Sequence, residues 1–302
     1  MQYSGSPILD DSLKSYVLEK TNQDVLDAVT NSEGKLRGIP YAPYVNVMYL
    51  DADNLASFDN METIKEEVAS HDGAHINIRS DYIALYLMDS ERVNNDFLYN
   101  EDGTYKSALA LEENNDLLID FNNYFKDSIF INNASKLLKN EYCVAVTSPS
   151  YYSILDTFDF DVVTTKLPSV TVNGTTYHHS SLYNLSYVTK GNNCSIEEDA
   201  LNNVLKAFLS NEIQDYLVAR EFKNFSLLNS SYHQENTAEV VKRVDFNLSD
   251  YKFISPKMDN SADYDAFTYF LGSLGGLIRN NHDTTDLYLK VNDILEEINS
   301  LF

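Results

Sequence analysis

Apolar residues along the chain follow two alternating spacings, one typical of helices and one typical of strands. Helical spacing is clear in residues 59–69, where Met61, Ile64 and Val68 form an apolar stripe beneath charged residues. Short runs rich in β-branched and aromatic residues lie between the helical segments, as in residues 142–147 (YCVAVT). Strands interleaved with helices predict an α/β protein.

The same reasoning assigns elements along the rest of the chain. Helices are predicted at residues 9–29, 59–69, 82–88, 112–125, 131–139, 195–209, 212–219, 265–278 and 285–301. Strands are predicted at residues 36–50, 74–78, 142–147, 161–165 and 170–172. Ser195 and Glu198 have the spacing of a capping box, which would open the helix at 195–209. That helix would place seven apolar residues on one face: Ile196, Ala200, Leu201, Val204, Leu205, Phe208 and Leu209.

Composition and charge narrow the function. The 302 residues are 43% hydrophobic, which is enough for a substantial core in one large domain or two ordinary ones. A net charge of -24 argues against nucleic-acid binding, because phosphate contacts require a basic surface. No run of about 18 apolar residues predicts a membrane span, and residues 1–12 do not have the pattern of a signal peptide. We therefore expect a cytosolic protein or one whose export segment has been removed.

The two cysteines, Cys143 and Cys194, are far apart in the sequence and lack the spacing of a metal site. Free thiols are the favoured interpretation, and a single disulfide bond remains the alternative. No other motif in the chain predicts a metal site or a cofactor. The glycines of residues 271–276 lie within a helical pattern, so they favour close helix packing over phosphate binding.

Four segments of the chain, in order, resemble the sugar-type, maltose-binding-like solute-binding proteins of ABC importers. Residues 34–51 (GKLRGIPYAPYVNVMYLD) resemble that family's "GKLYGIP" crossover strand, and residues 140–149 (NEYCVAVTSP) resemble its strand and turn at the ligand cleft. Residues 160–168 resemble its "YGVAPLP" segment, and residues 195–214 resemble its "eeAwkFlkfltS" helix. The resemblance covers most of the chain.

The resemblance implies a two-lobe class II periplasmic-binding-protein-like fold, in which ligand is held between lobes that close about a hinge. Residues 1–45 and 181–255 would form the N-terminal lobe, and residues 46–180 and 256–302 the C-terminal lobe. About three βα units that open the first lobe in the family have no counterpart here. We therefore expect an incomplete N-terminal lobe, in a fragment or in a chain completed by a partner.

A tyrosine-rich crossover strand suits a ligand cleft, because tyrosine combines an apolar ring with a polar tip. Sugar sites use such rings against the apolar face of the sugar and polar groups for its hydroxyls. By the resemblance, the ligand-binding residues are Tyr41, Tyr44, Asp81, Tyr82, Tyr151, Tyr152, Tyr264, Asp265 and Phe267. The chain has no tryptophan, which argues against a large oligosaccharide and leaves a smaller sugar or another polar solute open.

Two other relatives of the same fold give alternative hypotheses. Thiaminase I shares a Gly-Ile-Pro segment and a tyrosine-lined cleft, but Tyr44 stands where that enzyme has its nucleophilic cysteine. Ferric-ion-binding proteins use a tyrosine pair that Tyr151 and Tyr152 resemble, although no complete ligand set is found. The sequence thus predicts a non-enzymatic receptor without a cofactor, extracellular, lipoprotein-anchored or periplasmic, that delivers a small polar solute to an ABC permease.

Overall fold

The structure of the chain is a computed structural model. It describes residues 8–31, 33–44, 46–51, 60–93, 97–100, 102–132, 143–147, 162–165, 167–182, 184–191, 193–219, 242–243, 252–254, 261–280 and 285–302. The predicted helix at 131–139 falls mostly outside these ranges, and so does the Tyr151–Tyr152 pair.

Six strands form the main sheet. In chain order they are β2 (Val47–Asp51), β3 (His75–Ile78), β6 (Phe130–Ile131), β7 (Cys143–Thr147), β8 (Val162–Thr165) and β13 (Lys242–Arg243). Across the sheet the order is β13, β8, β2, β7, β3 and β6. Strand β2 is antiparallel to both of its neighbours, whereas the other adjacent pairs are parallel.

Short two-stranded pairings make up the remaining strands. Strand β1 (Ile39–Tyr44) pairs antiparallel with β12 (Asn184–Val188), and β11 (Ser180–Leu182) pairs in parallel with β14 (Lys252–Ile254). Two hairpins, β4–β5 (Tyr99–Asn100 and Tyr105–Lys106) and β9–β10 (Val170–Val172 and Thr175–Tyr177), complete the set. The second hairpin turns at Asn173 and Gly174, whose φ angles of 48° and 80° suit this residue pair.

Helices pack around these strands. In the described part of the chain they are α1 (Ser12–Lys20), α2 (Gln23–Ala28), α3 (Met61–Ala69), α4 (Ser80–Leu87), α5 (Asn115–Phe125), α6 (Glu198–Ala207), α7 (Asn211–Ala219), α8 (Ser261–Arg279) and α9 (Leu287–Leu301). Two 3₁₀ turns, Ala108–Ala110 and Glu112–Asn114, precede α5. The predicted α/β class is confirmed.

Buried apolar residues form two separate clusters. The larger cluster joins the main sheet to α3, α4, α5, α8 and α9, and Phe121, Phe125, Phe267 and Phe270 are among its largest buried side chains. The smaller cluster packs α1 and α2 against β1 and against Leu205 and Leu209, which lie in and just after α6. Two separate hydrophobic cores are what a chain with two lobes requires, because each lobe buries its own apolar surface. The exact lobe boundaries at residues 45, 180 and 255 stay a prediction.

Within the described ranges, two stretches of chain pass from one cluster to the other. Ile39 belongs to the smaller cluster and Met48 to the larger, so the chain crosses between them along β1 and β2. Tyr177 belongs to the larger cluster and Tyr187 packs against the smaller, so the chain returns along β11 and β12. Because β12 pairs with β1, the two crossing segments lie side by side.

The helix at 195–209 differs from its prediction. It begins at Glu198, its N-cap residue is Glu197, and no side chain caps it, so the capping box at Ser195 is wrong. Leu205 and Leu209 are buried, whereas Ile196 and Val204 are each 57% exposed. The buried stripe is therefore narrower than the set of apolar residues in this segment.

Glu62 links three elements of the larger cluster, and its replacement should destabilise the protein. One of its oxygens, Oε1, accepts hydrogen bonds from the Tyr124 hydroxyl and the Thr171 amide, each at 2.8 Å. Glu62→Ala would leave both donors without this acceptor, at a cost of about 1–3 kcal/mol in the free energy of unfolding. Urea denaturation measures this loss. Glu66→Ala on the same helix is the control, because Glu66 is exposed, and an equal loss in the two variants would contradict the expectation.

Candidate functional site

The carboxyl-terminal ends of several strands lie together along one side of the main sheet, which is called the sheet edge below. This edge faces the region where the chain crosses between the two clusters. A row of paired residues, Thr165, Met48, Val146 and Ile78, runs across four adjacent strands near this edge. Strands β3, β7 and β8 end there, and β2 begins there. Three spacings of about 4.8 Å make this row about 14 Å wide. Loops that leave parallel strands at their carboxyl ends are the usual place for ligands in α/β folds.

The junction of β3 and α4 supplies an ordered polar group at this edge. Arg79 donates hydrogen bonds to Asp81 from Nε at 3.0 Å and from Nη2 at 2.9 Å, so the ion pair is bidentate. The Arg79 guanidinium also lies over the Tyr82 ring, 5.1 Å from its centroid. Asp81 and Tyr82 are predicted site residues, and Arg79 is a neighbour that the sequence reasoning missed.

Helix α8 fixes the position of this junction. A Cβ added at Gly275 would lie 1.6 Å from the Ser80 carbonyl oxygen, so the two backbones meet with no room for a side chain. The Arg279 Nη1 atom donates to the Ile78 carbonyl oxygen at 3.0 Å, just where β3 ends. Close helix packing by the glycines of residues 271–276 is thus confirmed at Gly275. Gly272 and Gly276 face open space.

His179, in the second crossing segment, packs against the other side of α4. Its ring makes edge contacts with Tyr82 and Tyr86, at centroid distances of 6.2 and 4.8 Å. The side chain is 5% exposed, and neither ring nitrogen has a hydrogen-bond partner among the described residues. Burial lowers the pKa of His179 to about 3. This histidine is therefore neutral at physiological pH.

Tyr41 and Tyr44 lie on β1, at the first crossing. Tyr41 is half-buried, with its ring 5.6 Å from that of Phe208 and its carbonyl oxygen 2.8 Å from the Gln214 amide nitrogen. These contacts place it beside the smaller cluster. For Tyr44, the last residue of β1, the structure describes the backbone. Three residues further along the chain, Val47 begins β2 at the sheet edge. Because three residues span at most about 10 Å, Tyr44 stands near that edge.

The predicted residues on α8 do not join this group. Helices α4 and α8 are antiparallel, because Ser80 meets Gly275 while the preceding Ile78 meets Arg279. Tyr264 and Asp265 lie near the opposite end of α8, about 16 Å along the axis from Gly275 at 1.5 Å per residue. They are separated from Asp81 and Tyr82 along the length of α4.

Phe267 is part of the larger core in this structure. Its side chain is 1% exposed and its ring contacts Phe97 edge to face, at a centroid distance of 6.1 Å. A ligand cannot reach a ring enclosed in this way without rearrangement of the helix. Apolar helix residues face inward when a stripe is available to bury them, and Phe267 lies on that stripe with Phe270 and Leu274.

The side chains of the described residues give little support for either a metal site or a reactive thiol. Among them no three histidine, cysteine, aspartate or glutamate side chains are grouped as a metal site would require. Cys194 is an exposed free thiol. The tyrosine pair on which the ferric-ion hypothesis rests, Tyr151 and Tyr152, lies outside the residues that the structure describes.

Comparison with solved structures identifies the fold. A maltodextrin-binding protein of L. casei BL23, MalE1 without ligand, matches with a TM-score of 0.72 at 10% identity, over 97% of this chain and 79% of that one. The maltose–maltodextrin-binding protein of Alicyclobacillus acidocaldarius matches with a TM-score of 0.66 at 13% identity, over 97% and 79%. The Listeria monocytogenes substrate-binding protein Lmo0181, in complex with cycloalternan, gives 0.64 at 14%, over 97% and 80%.

The chain has the two-lobe fold of these sugar-binding proteins. The resemblance read from the four sequence segments is confirmed at the level of fold. The sequence matches no protein-family model and no curated protein, so the structural likeness stands without a sequence match. In the described residues no helix is both long and apolar enough to cross a membrane. The thiaminase and ferric-ion hypotheses gain no support from these similarities.

Proposed function

We propose that this protein is the solute-binding receptor of an ABC importer, and that it binds a carbohydrate or a similar small polar solute between its lobes. The observation that carries the proposal is the likeness of 97% of the chain to structures whose names describe sugar binding. A second support is local. The polar groups at the edge of the main sheet lie where the two crossing segments connect the clusters.

The proposed site has parts on both sides of the crossing. Asp81 and its ion-pair partner Arg79 lie at the junction of β3 and α4, beside the main sheet, and Tyr41 lies beside the smaller cluster. A solute that contacts both sides would favour the closed arrangement of the lobes, because only the closed arrangement offers both sets of contacts. Tyr44, Tyr151 and Tyr152 stay proposed members of this site, and Tyr264 and Asp265 would require a longer ligand or another pose.

Transport of this kind needs no chemical step. The receptor would bind its solute, close, and present the closed form to a permease in the membrane. We propose an exported protein, extracellular, lipoprotein-anchored or periplasmic, with no resident cofactor. The lack of tryptophan favours a small sugar, because the rings available for stacking are those of tyrosine and phenylalanine.

Titration calorimetry with glucose, maltose, acarbose and chitobiose tests the proposal. We expect saturable binding of at least one of these sugars, and a rise in the dissociation constant of about 10-fold or more in Asp81→Asn, because a carboxylate acceptor is lost. Asp116→Asn is the matched control, since Asp116 is an exposed aspartate that also pairs with an arginine. Absence of binding to all four sugars would contradict the carbohydrate proposal.

Lobe closure has its own measurement, since the natural chain has no tryptophan. Phe208→Trp would introduce a single reporter next to Tyr41, whose ring lies 5.6 Å from that of Phe208. A saturable change in its fluorescence with the bound sugar is expected. Tyr288→Trp, on α9 of the larger cluster, is the control, and an identical response at both positions would argue against a change local to the crossing.

A further inference from the structure

We infer that Arg79 contacts the solute directly and that Arg79 and Asp81 together recognise a pair of neighbouring hydroxyl groups. The inference rests on the proposed function and adds to it the residue and the ligand chemistry at the sheet edge. Sequence reasoning places the Tyr82 ring at this position as an aromatic surface for the ligand. The structure places the arginine there.

The surface at the start of α4 is formed by the Arg79 guanidinium. Tyr82 is 8% exposed, with Arg79 over one face of its ring and His179 at its edge. The Arg79 side chain, by contrast, is 57% exposed. A solute that arrives at the end of β3 therefore meets Arg79 before it meets the Tyr82 ring.

Among the described residues, Asp81 and Tyr82 both orient the guanidinium before any solute binds. The Asp81 carboxylate holds its Nε and Nη2 atoms, at 3.0 and 2.9 Å, and the Tyr82 ring supports its plane at 5.1 Å. Arginine has five N–H donors in one plane, so an orientation set by two of them also sets the direction of the others. A side chain that is oriented in advance loses less conformational entropy when it binds a ligand.

The chemistry of the pair matches a vicinal diol. Guanidinium N–H groups donate to one hydroxyl oxygen, and a carboxylate oxygen accepts the proton of the adjacent hydroxyl. The Asp81 side chain is 26% exposed, so its carboxylate is accessible beside the arginine. Because the pair carries no net charge, it requires neither an anionic nor a cationic solute. Its ligand class is a neutral polyol or sugar with two neighbouring hydroxyls.

Substitutions at Arg79 test the inference, with calorimetry on the same four sugars. Arg79→Gln is expected to raise the dissociation constant of the bound sugar by about 10- to 100-fold, because hydrogen bonds from a charged donor are lost. Arg79→Lys should not restore affinity, since an ammonium group lacks the planar arrangement of donors. The urea midpoint of both variants should match the wild type, because an exposed ion pair contributes little to stability.

Arg92→Gln is the matched control. Arg92 is also exposed and paired with an aspartate, Asp116, but it lies beyond the far end of α4. Its replacement should leave the affinity unchanged. Equal weakening in the Arg79 and Arg92 variants would overturn the inference, because it would indicate a general effect of charge.

Two further outcomes separate this inference from the proposed function. Wild-type binding that Arg79→Gln leaves unchanged would overturn the role of Arg79 and leave the receptor proposal intact. Failure of the wild type to bind any of the four sugars would remove the carbohydrate proposal and the inference with it. A deoxy analogue of the bound sugar that loses affinity for the wild type but not for Arg79→Gln would support the inference, because it couples one hydroxyl to this side chain.

Discussion

Gly275→Ala is expected to destabilise the protein by about 3 kcal/mol or more. The added Cβ would lie 1.6 Å from the Ser80 carbonyl oxygen and 2.3 Å from its carbon, both of which are backbone atoms. A side chain can rotate away from such an overlap, but the backbone at the start of α4 can only shift. Overpacking of a core by one methyl group usually costs about 1–3 kcal/mol, and a backbone obstacle places this substitution at or above that range.

The neighbouring glycines provide a matched control on the same helix. A Cβ at Gly272 or Gly276 meets no atom within 4 Å, so Gly276→Ala should stabilise the protein by about 0.5–1 kcal/mol through the higher helix propensity of alanine. Urea denaturation of the two variants measures both effects. Destabilisation of equal size at Gly275 and Gly276 would contradict the packing explanation.

A substitution at Gly275 should also alter the positions of the side chains at the sheet edge. Ser80 immediately follows Arg79, and a shift of the Ser80 backbone would move the arginine and Asp81 relative to β3. We therefore expect any Gly275→Ala protein that still folds to bind its sugar more weakly, with no substitution at a contact residue. This coupling is a consequence of the close backbone contact between Gly275 on α8 and Ser80 on α4.

Local sequence patterns predict the helices of the larger cluster well. Met61, Ile64 and Val68 are each completely buried, as the stripe in residues 59–69 requires. Asn60 caps this helix, because its Oδ1 atom accepts a hydrogen bond from the Thr63 amide at 2.9 Å. Such a cap can be predicted from a few neighbouring residues. On α9, Leu287, Val291, Leu295 and Ile298 are buried in the same way. In these helices spacing and burial agree because one face meets a large core.

Patterns in the smaller cluster are less reliable, because fewer residues are available to cover each helix. Ile196 and Val204 belong to the apolar set of their segment, but the structure leaves them exposed. The predicted helix at 9–29 is divided into α1 and α2, with Asn22 capping the second by accepting from the Val25 amide at 3.0 Å. Asparagine favours such caps, so a new helix can start at this residue although the apolar spacing continues through it.

The composition of the site depends on contacts that no short segment contains. The antiparallel packing of α4 on α8 separates Tyr264 from Asp81, and the absence of a side chain at Gly275 allows the two backbones to meet closely. Arg79 covers Tyr82 because the two residues lie at the end of β3 and the start of α4, where the chain direction changes. The role of Asp81 and Tyr82 in a site therefore stays a prediction from the sequence, whereas the position of Arg79 over the Tyr82 ring is evident only from the fold.

Stability below neutral pH is expected to depend on His179. Its pKa is about 3 in the folded protein, whereas an unfolded histidine titrates near pH 6.5. Between these values the unfolded chain binds a proton that the folded chain does not, so the free energy of unfolding falls as the pH falls. The loss approaches about 1.4 kcal/mol per pH unit, which gives about 2 kcal/mol at pH 5 and about 4 kcal/mol near pH 3.

His179→Phe isolates this contribution. The variant keeps a ring against Tyr86 and Tyr82 and removes two buried nitrogens that have no hydrogen-bond partner among the described residues. Its stability at pH 7 should therefore equal or exceed that of the wild type, because the cost of burying unsatisfied polar atoms is gone. Urea denaturation at pH 7, 6 and 5 gives the difference between the two proteins at each pH. We expect the advantage of the variant to grow by about 2 kcal/mol from pH 7 to pH 5. A constant difference would mean that His179 gains its proton without unfolding, and so that the crossing segment opens to water in the native state.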